Sequence, residues 1–253
     1  MKTLLSFLLC ASVVSAEQIL QVAITQDTWI AAGEGDHGLD TRLQSQVTPP
    51  QQIVMRLQEQ IGQWAYWQQI NRAYILVQNR GYLSAGGGGI NNTCIVSRIT
   101  GQHTNWDDLW TWGDFGGLLT AGGGDLEPDS VVGVQVLMGD ANWDGIVDQL
   151  DSDILNANAF QPGGWIDGDF NADGFVDGSD FNILVNHAFE EIPTSPADFL
   201  GIDITDWLVD EWAQGALQNG FCIEPMFGFW DLVSSEHPTL PKPILYVHYE
   251  VLP

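Results

Sequence analysis

Two stretches of the chain place oxygen donors at a spacing that suits a hard divalent cation. Residues 139–160 read GDANWDGIVDQLDSDILNANAF and residues 168–189 read GDFNADGFVDGSDFNILVNHAF, an internal repeat offset by 29 residues with over half its positions identical. Each copy opens with D-x-N-x-D-G-x-x-D-x-x-D. A calcium loop takes ligands at positions 1, 3, 5, 7, 9 and 12, the seventh through a main-chain carbonyl, and needs Gly at position 6 where the chain turns sharply. The first copy offers Asp140, Asn142, Asp144, the Ile146 carbonyl, Asp148 and Asp151, with Gly145 at the turn. The second offers Asp169, Asn171, Asp173, the Phe175 carbonyl, Asp177 and Asp180, with Gly174. The pattern predicts two calcium ions, one per loop; acidic turns on a solvated face would not need the same glycine and asparagine twice. A helix is expected after each loop, since Phe181, Leu184, Val185 and Ala188 recur at i, i+3, i+4, i+7, and the first copy keeps Ile154, Leu155 and Ala159 with Ser152 in place of Phe181. No helix is expected before the second loop, where Pro162, Gly163 and Gly164 stand.

Catalytic chemistry finds little in the rest of the chain. The five histidines, His37, His103, His187, His237 and His248, show no HExxH spacing, and no serine sits in GxSxG. Carboxylate pairs such as Asp107 with Asp108, or Asp206 with Asp210, arise by chance among 33 acidic residues. A non-enzyme is expected. Trp64, Tyr66 and Trp67 in GQWAYWQQ are the candidate ligand-binding residues, because aromatic faces stack on the apolar C–H faces of sugar rings; partial burial over a sheet edge is the alternative. Cys94 and Cys222 remain once Cys10 leaves with the leader, and either a disulfide or two separately buried thiols fits that pair.

Charge restricts the partners. With 33 acidic and 7 basic residues the net charge is −26, which excludes neutralising nucleic-acid phosphates. No Lys or Arg occurs between Arg98 and Lys242, whereas carboxylates crowd the repeat, so the repeat needs compensation from outside its own side chains. Residues 1–16 carry Lys2, an apolar run and Val14-Ser15-Ala16, the pattern of a secretory signal, so the chain is expected to be secreted, with no transmembrane segment.

The elements that must position the loops are short strands bounded by turn residues: QILQVAI, TWIAA, QIVMRLQ, NRAYILVQN, NTCIVSRIT, VVGVQVL, GFCIEPM and ILYVHYEVL. A short amphipathic turn joins Ile204, Trp207, Leu208 and Trp212 on one face. The composition and strand spacing predict a mainly β protein built as a β-sandwich.

Loop then helix, twice, with Asp closing each loop, resembles the dockerin type I domain over residues 137–192. That resemblance implies two calcium ions and a cohesin-like partner on a polysaccharide-degrading assembly. Loop positions 10 and 11 are Gln149-Leu150 and Gly178-Ser179 instead of the usual hydroxyl pair, so the calcium assignment carries over and the cohesin assignment does not. The flanks resemble the DNRLRE domain, a secreted jelly-roll-like module, through ITQDTWI, IVMRLQ, INRAYILV, CIVSRITGQHTNWDDLWTWGDFGG, GIDITDWLVDEWAQGALQNGFCIEP and SSEHPTLPKPILYVHYE. IVMRLQ departs where the family commonly has Phe-Asp after the Arg. The two resemblances together imply a discontinuous sandwich of residues 17–136 and 193–253 with residues 137–192 inserted. They further imply a binding, adhesion or assembly role with polysaccharide as a possible ligand; a structural surface component is the alternative.

Overall fold

A computed structural model describes residues 17–31, 37–38, 40, 42–46, 50–57, 68–80, 94–100, 106, 110–120, 123–192, 198–209, 219–226 and 229–251. The strands are β1 Gln18–Ala23, β2 Gln26–Ala31, β3 Arg42–Gln46, β4 Gln51–Arg56, β5 Gln68–Gln78, β6 Cys94–Ile99, β7 Leu126–Val136, β8 Phe199–Asp203, β9 Phe221–Pro225, β10 Phe229–Val233 and β11 Ile244–Val251. Helices are α1 Trp112–Phe115, α2 Gln149–Asn158, α3 Gly178–His187 and α4 Thr205–Trp207, with a 3-10 turn at Trp165–Asp167. The protein is mainly β, and its strands form one large curled antiparallel sheet in the order β1-β11-β5-β8-β7-β6-β9-β4-β3-β10, with β2 paired to β4. The curl brings the β10 edge back to the end of β5, where Arg80 N donates to the Asp231 carbonyl at 2.9 Å and Asn79 bridges Leu232.

Side chains alternate across each strand, so a curled sheet sends every second residue inward. Ala73, Ile75 and Val77 of β5, Leu200 and Ile202 of β8, Ile53 and Met55 of β4, Phe221 and Ile223 of β9, and Leu245 and Val247 of β11 fill the interior. The alternate residues are apolar as well. Tyr74, Leu76, Val136, Phe199 and Tyr246 form an outer face on β5, β7, β8 and β11, and Val54, Ile99 and Cys222 form another beneath Trp106, Phe115, Leu119 and Leu126. A strand covered on both faces reads as a continuous apolar run, as CIVSRI and ILYVHYEV nearly do.

The chain between β7 and β8 covers the first of those outer faces. These strands are antiparallel neighbours with Val136 opposite Phe199, so the intervening segment leaves and rejoins the sheet at one place. Such a site tolerates a long insertion, because the ends are already held together. Met138 N donates to Asp198 Oδ2 at 2.7 Å and Asp198 N to the Val136 carbonyl at 3.0 Å, which fixes both ends.

Several sequence expectations need adjustment. β3, β8 and β10 were not anticipated from the pattern: β3 is RLQSQ with only Leu43 in the interior core, and β8 is five residues. On α3 the packed residues are Leu184, 5% exposed, and the partly buried Ile183, whereas Phe181 and Val185 face solvent at 46% and 55%. The contact face of α3, which packs against α2, is therefore narrower than the i, i+3, i+4, i+7 set. Cys94 and Cys222 are both free and fully buried. In the β6–β9 register Cys94 faces Pro225 and Ser97 faces Cys222, so the two lie three residues apart on neighbouring strands and enter different cores. Their Cα atoms are therefore about 10 Å apart, beyond disulfide reach. Trp106 is buried, with Nε1 donating to the Asn219 carbonyl at 2.6 Å; the side chains of Trp112 and Trp212 lie outside the described residues.

Asp27 on β2 holds the turn after β10. Its carboxylate accepts from Ser234 Oγ at 2.9 Å and from Ser235 N at 2.8 Å, and it is 1% exposed. Burial, against the pull of those donors, pushes its carboxyl up to about 6. Because the folded value lies above the ordinary unfolded one, Asp27 favours the fold most below about pH 4, and that contribution is lost as pH rises through 6. Urea unfolding in saturating calcium is expected to show stability falling by up to about 3 kcal/mol across that window, and Asp27→Asn is expected to flatten the slope.

Candidate metal centre

In each loop the backbone wraps around its own carboxylates. Gly145 and Gly174, at position 6, have φ of 85° and 89°, and Trp143 and Ala172, at position 4, have φ of 61° and 58°. Left-handed backbone is ordinary for Gly and costly for Trp. Trp143 is held there by packing: its ring stands edge-on to Tyr74 at 5.3 Å and fills the space over Gly201, where a Cβ would approach Cζ3 to 2.9 Å.

The turn aims main-chain N–H groups at the carboxylates. Gly145 N donates to Asp140 Oδ2 at 3.0 Å, Ile146 N to Asp144 Oδ1 at 3.0 Å, and Asp144 N to Asn142 Oδ1 at 2.9 Å. The second loop repeats this with Gly174 N to Asp169 Oδ2 at 2.9 Å, Phe175 N to Asp173 Oδ1 at 3.0 Å, and Asp173 N to Asn171 Oδ1 at 2.9 Å. Position 12 closes the ring. Asp151 Oδ1 accepts from Ala141 N at 2.8 Å and its Oδ2 from Asp148 N at 2.8 Å, tying the loop's beginning to the helix. Asp180 does the same with Phe170 N at 2.9 Å and Asp177 N at 2.8 Å. Asp148 and Asp177 are the N-caps of α2 and α3, accepting from Leu150 N and Ser179 N at 2.7 Å each. Loop closure and helix initiation are therefore one act, a reciprocal capping box built from candidate ligands.

The halves are joined by exchange. Val147, at position 8 of the first loop, pairs with the chain leaving α3: Val147 N donates to the Glu190 carbonyl and Phe189 N to the Val147 carbonyl, at 2.9 and 2.8 Å. Val176 pairs with the chain leaving α2 in the same way, through Val176 N to Gln161 O at 3.0 Å and Phe160 N to Val176 O at 2.8 Å. Each loop thus depends on the other copy's helix exit, which accounts for the repeat occurring as a pair.

Electrostatics separate this arrangement from a decorative acidic turn. Asp140, Asp151, Asp169 and Asp180 are each 0% exposed. Burial first, then the neighbouring Asp151 and Asp144, pushes the Asp140 carboxyl up to about 7 against the Gly145 N–H. Asp169 is pushed to about 7 by burial and by Asp180 and Asp173. Asp140 Oδ1 is buried without a hydrogen-bond partner among the described residues. Buried carboxylates need a counter-charge, and a divalent cation among the oxygens of positions 1, 3, 5, 7, 9 and 12 would supply it. The donor set is all oxygen, fitting a calcium ion in each loop.

Aromatic packing seats the loops on the sheet. Trp165 is 2% exposed, donates from Nε1 to the Asp140 carbonyl at 2.9 Å, and meets Phe199 of β8 and Phe170 edge-on at 4.6 and 5.4 Å. A Cβ on Gly164 would stand 2.7 Å from Tyr74 Oη and 3.0 Å from Tyr246 Cδ1, so Gly is required at that contact. Gln21 of β1 donates from Nε2 to Asp169 Oδ2 at 3.4 Å. Sequence reasoning missed Gln21, Trp143 and Trp165 as supports of the loops; the differing residues at repeat position 4, Trp143 against Ala172, were the one available signal. Trp64, Tyr66 and Trp67, the candidate ligand residues, lie outside the described residues.

The chain matches no family model, no curated protein and no solved structure.

Calorimetric titration of the metal-free protein is expected to show two calcium ions bound. Asp140→Ala with Asp151→Ala should abolish the first site and Asp169→Ala with Asp180→Ala the second, each leaving the other weakened because the copies share strand pairs. Trp165→Ala is expected to destabilise the protein by about 3–5 kcal/mol, read by denaturant unfolding in calcium.

Proposed function

We propose that the chain is a secreted, non-catalytic module for carbohydrate binding, adhesion or assembly, accessory to polysaccharide degradation, whose repeat is a calcium-binding, dockerin-like unit of residues 137–192 inserted in a DNRLRE-like jelly-roll sandwich of residues 17–136 and 193–253. The observation that carries this reading is the pair of matching loops, each burying two carboxylates in a segment of chain without Lys or Arg. A cation resolves that cost and in doing so fixes both helices, so metal binding becomes folding energy. The adjacency of Val136 and Phe199 supports the insertion. The alternating strands around a closed interior support the sandwich.

A second reading, in which the calcium unit only stiffens a structural surface protein, is favoured by one observation. Trp165, Phe170 and Leu155 of the repeat share a buried cluster with Tyr74, Tyr246 and Phe199 of the sheet.

A glycan array probed with the secreted chain separates the two. The first reading expects retention on a polysaccharide class in calcium and its loss in chelator. Calcium-dependent self-association without glycan retention, followed by light scattering, would support the structural reading, and the absence of both would remove the proposal.

A further inference from the structure

His187 ends α3, Glu190 follows within the same turn of chain, and Asp198 starts the return to β8. One ligand atom from each of the three lies within 4.8 Å of the other two. His187 Nδ1 is 3.2 Å from Glu190 Oε2. The approach is close but not a hydrogen bond, for Nδ1 is buried without a hydrogen-bond partner among the described residues. Asp198 is held by Met138 N at 2.7 Å on Oδ2, the kind of outer contact that orients a ligating carboxylate.

The spacing fits a small cation. Bonds of about 2.0–2.1 Å arranged tetrahedrally put ligand atoms roughly 3.3–3.4 Å apart, and opposite ligands in a six-coordinate shell sit about 4.2 Å apart. The His187–Glu190 separation is already close to the tetrahedral value, and drawing the widest separation, at most 4.8 Å, to that value takes up to about 1.4 Å shared among the side chains. An imidazole nitrogen with two carboxylates is a borderline donor set, suited to zinc and its neighbours rather than to calcium or magnesium, which prefer oxygen alone.

We propose that His187, Glu190 and Asp198 form a third cation site, distinct from the two loops, that takes a transition metal of the zinc class with water completing its shell. Its three ligands come from the end of α3, the chain just after it and the first residue before β8, and Asp198 is itself bonded to Met138 where the segment leaves β7. A metal there clasps the exit of the repeat to its point of entry on the sheet. The site does not rest on the calcium assignment, since it shares no ligand with either loop.

The test is calorimetric titration of the whole secreted chain with zinc chloride in saturating calcium, so that the loops are not available to zinc. One zinc per chain is expected, with affinity lowered more than about tenfold by His187→Ala and by Glu190→Gln, as for loss of a metal-orienting contact or worse. His237→Ala, in the turn after β10 and outside the proposed ligand set, is expected to leave uptake unchanged. His187 and Glu190 are both partly exposed, so these variants should keep the wild-type circular dichroism. Absence of zinc uptake by the wild-type chain, or uptake of wild-type strength by folded His187→Ala, would overturn the proposal. The histidine ring nitrogens, followed by NMR, should report metal at the Nδ1 of His187 and at no other histidine.

Discussion

Four carboxylates with no exposure, in a segment that contains no Lys or Arg, set the terms for the rest of this protein. Main-chain N–H groups meet part of the cost, and the chain is bent into left-handed turns at Gly145 and Gly174 to aim them. Hydrogen bonds from neutral amides do not cancel charge, however, and Asp140 and Asp169 remain pushed far above the usual carboxylate range. The divalent cation we propose would supply a positive charge of small radius there. On that proposal the fold is completed by its ligand, with helix caps and loop closure both built from the groups that would hold the ion.

The sheet supplies the complementary half of the account. Its curl makes an enclosed apolar interior, yet its outer face on β5, β7, β8 and β11 is also apolar and has to be covered. The repeat covers it from a place where two neighbouring strands would otherwise be joined by a short turn. Gly164 and Gly201 allow the close approach of Tyr74, Tyr246 and Trp143. Removing the repeat would thus expose tyrosine and phenylalanine surface, so the stability of the repeat and that of the sheet are coupled through shared packing, not merely through covalent connection.

The loops and the helices after them were legible because a glycine at position 6 and carboxylates at fixed intervals around it recur, and a repeat states that pattern twice. Strands with apolar residues on both faces, such as CIVSRI and ILYVHYEV, were legible as runs. What escaped were features decided by tertiary contact. β3 is polar apart from Leu43, and its strand character comes from pairing with β10 and β4. The helical period of α3 pointed to Phe181 and Val185 beside Leu184, but tertiary packing buries Leu184 with Ile183 and leaves the other two exposed. Cys94 and Cys222 could be bonded or free until register placed them three residues apart on adjacent strands. His187, Glu190 and Asp198 converge only because α3 ends beside the start of β8, a juxtaposition no local spacing encodes.

The central claim is that a divalent cation completes the fold of the repeat. Hydrogen exchange followed by mass spectrometry, in calcium and then in chelator at the same pH, addresses it most directly. The account predicts that amides of α2, α3 and the Val147 and Val176 pairings lose protection on chelation, while those of β4, β6 and β9 on the far side of the sheet keep theirs. Protection of α2 and α3 that is indifferent to chelator would contradict the account.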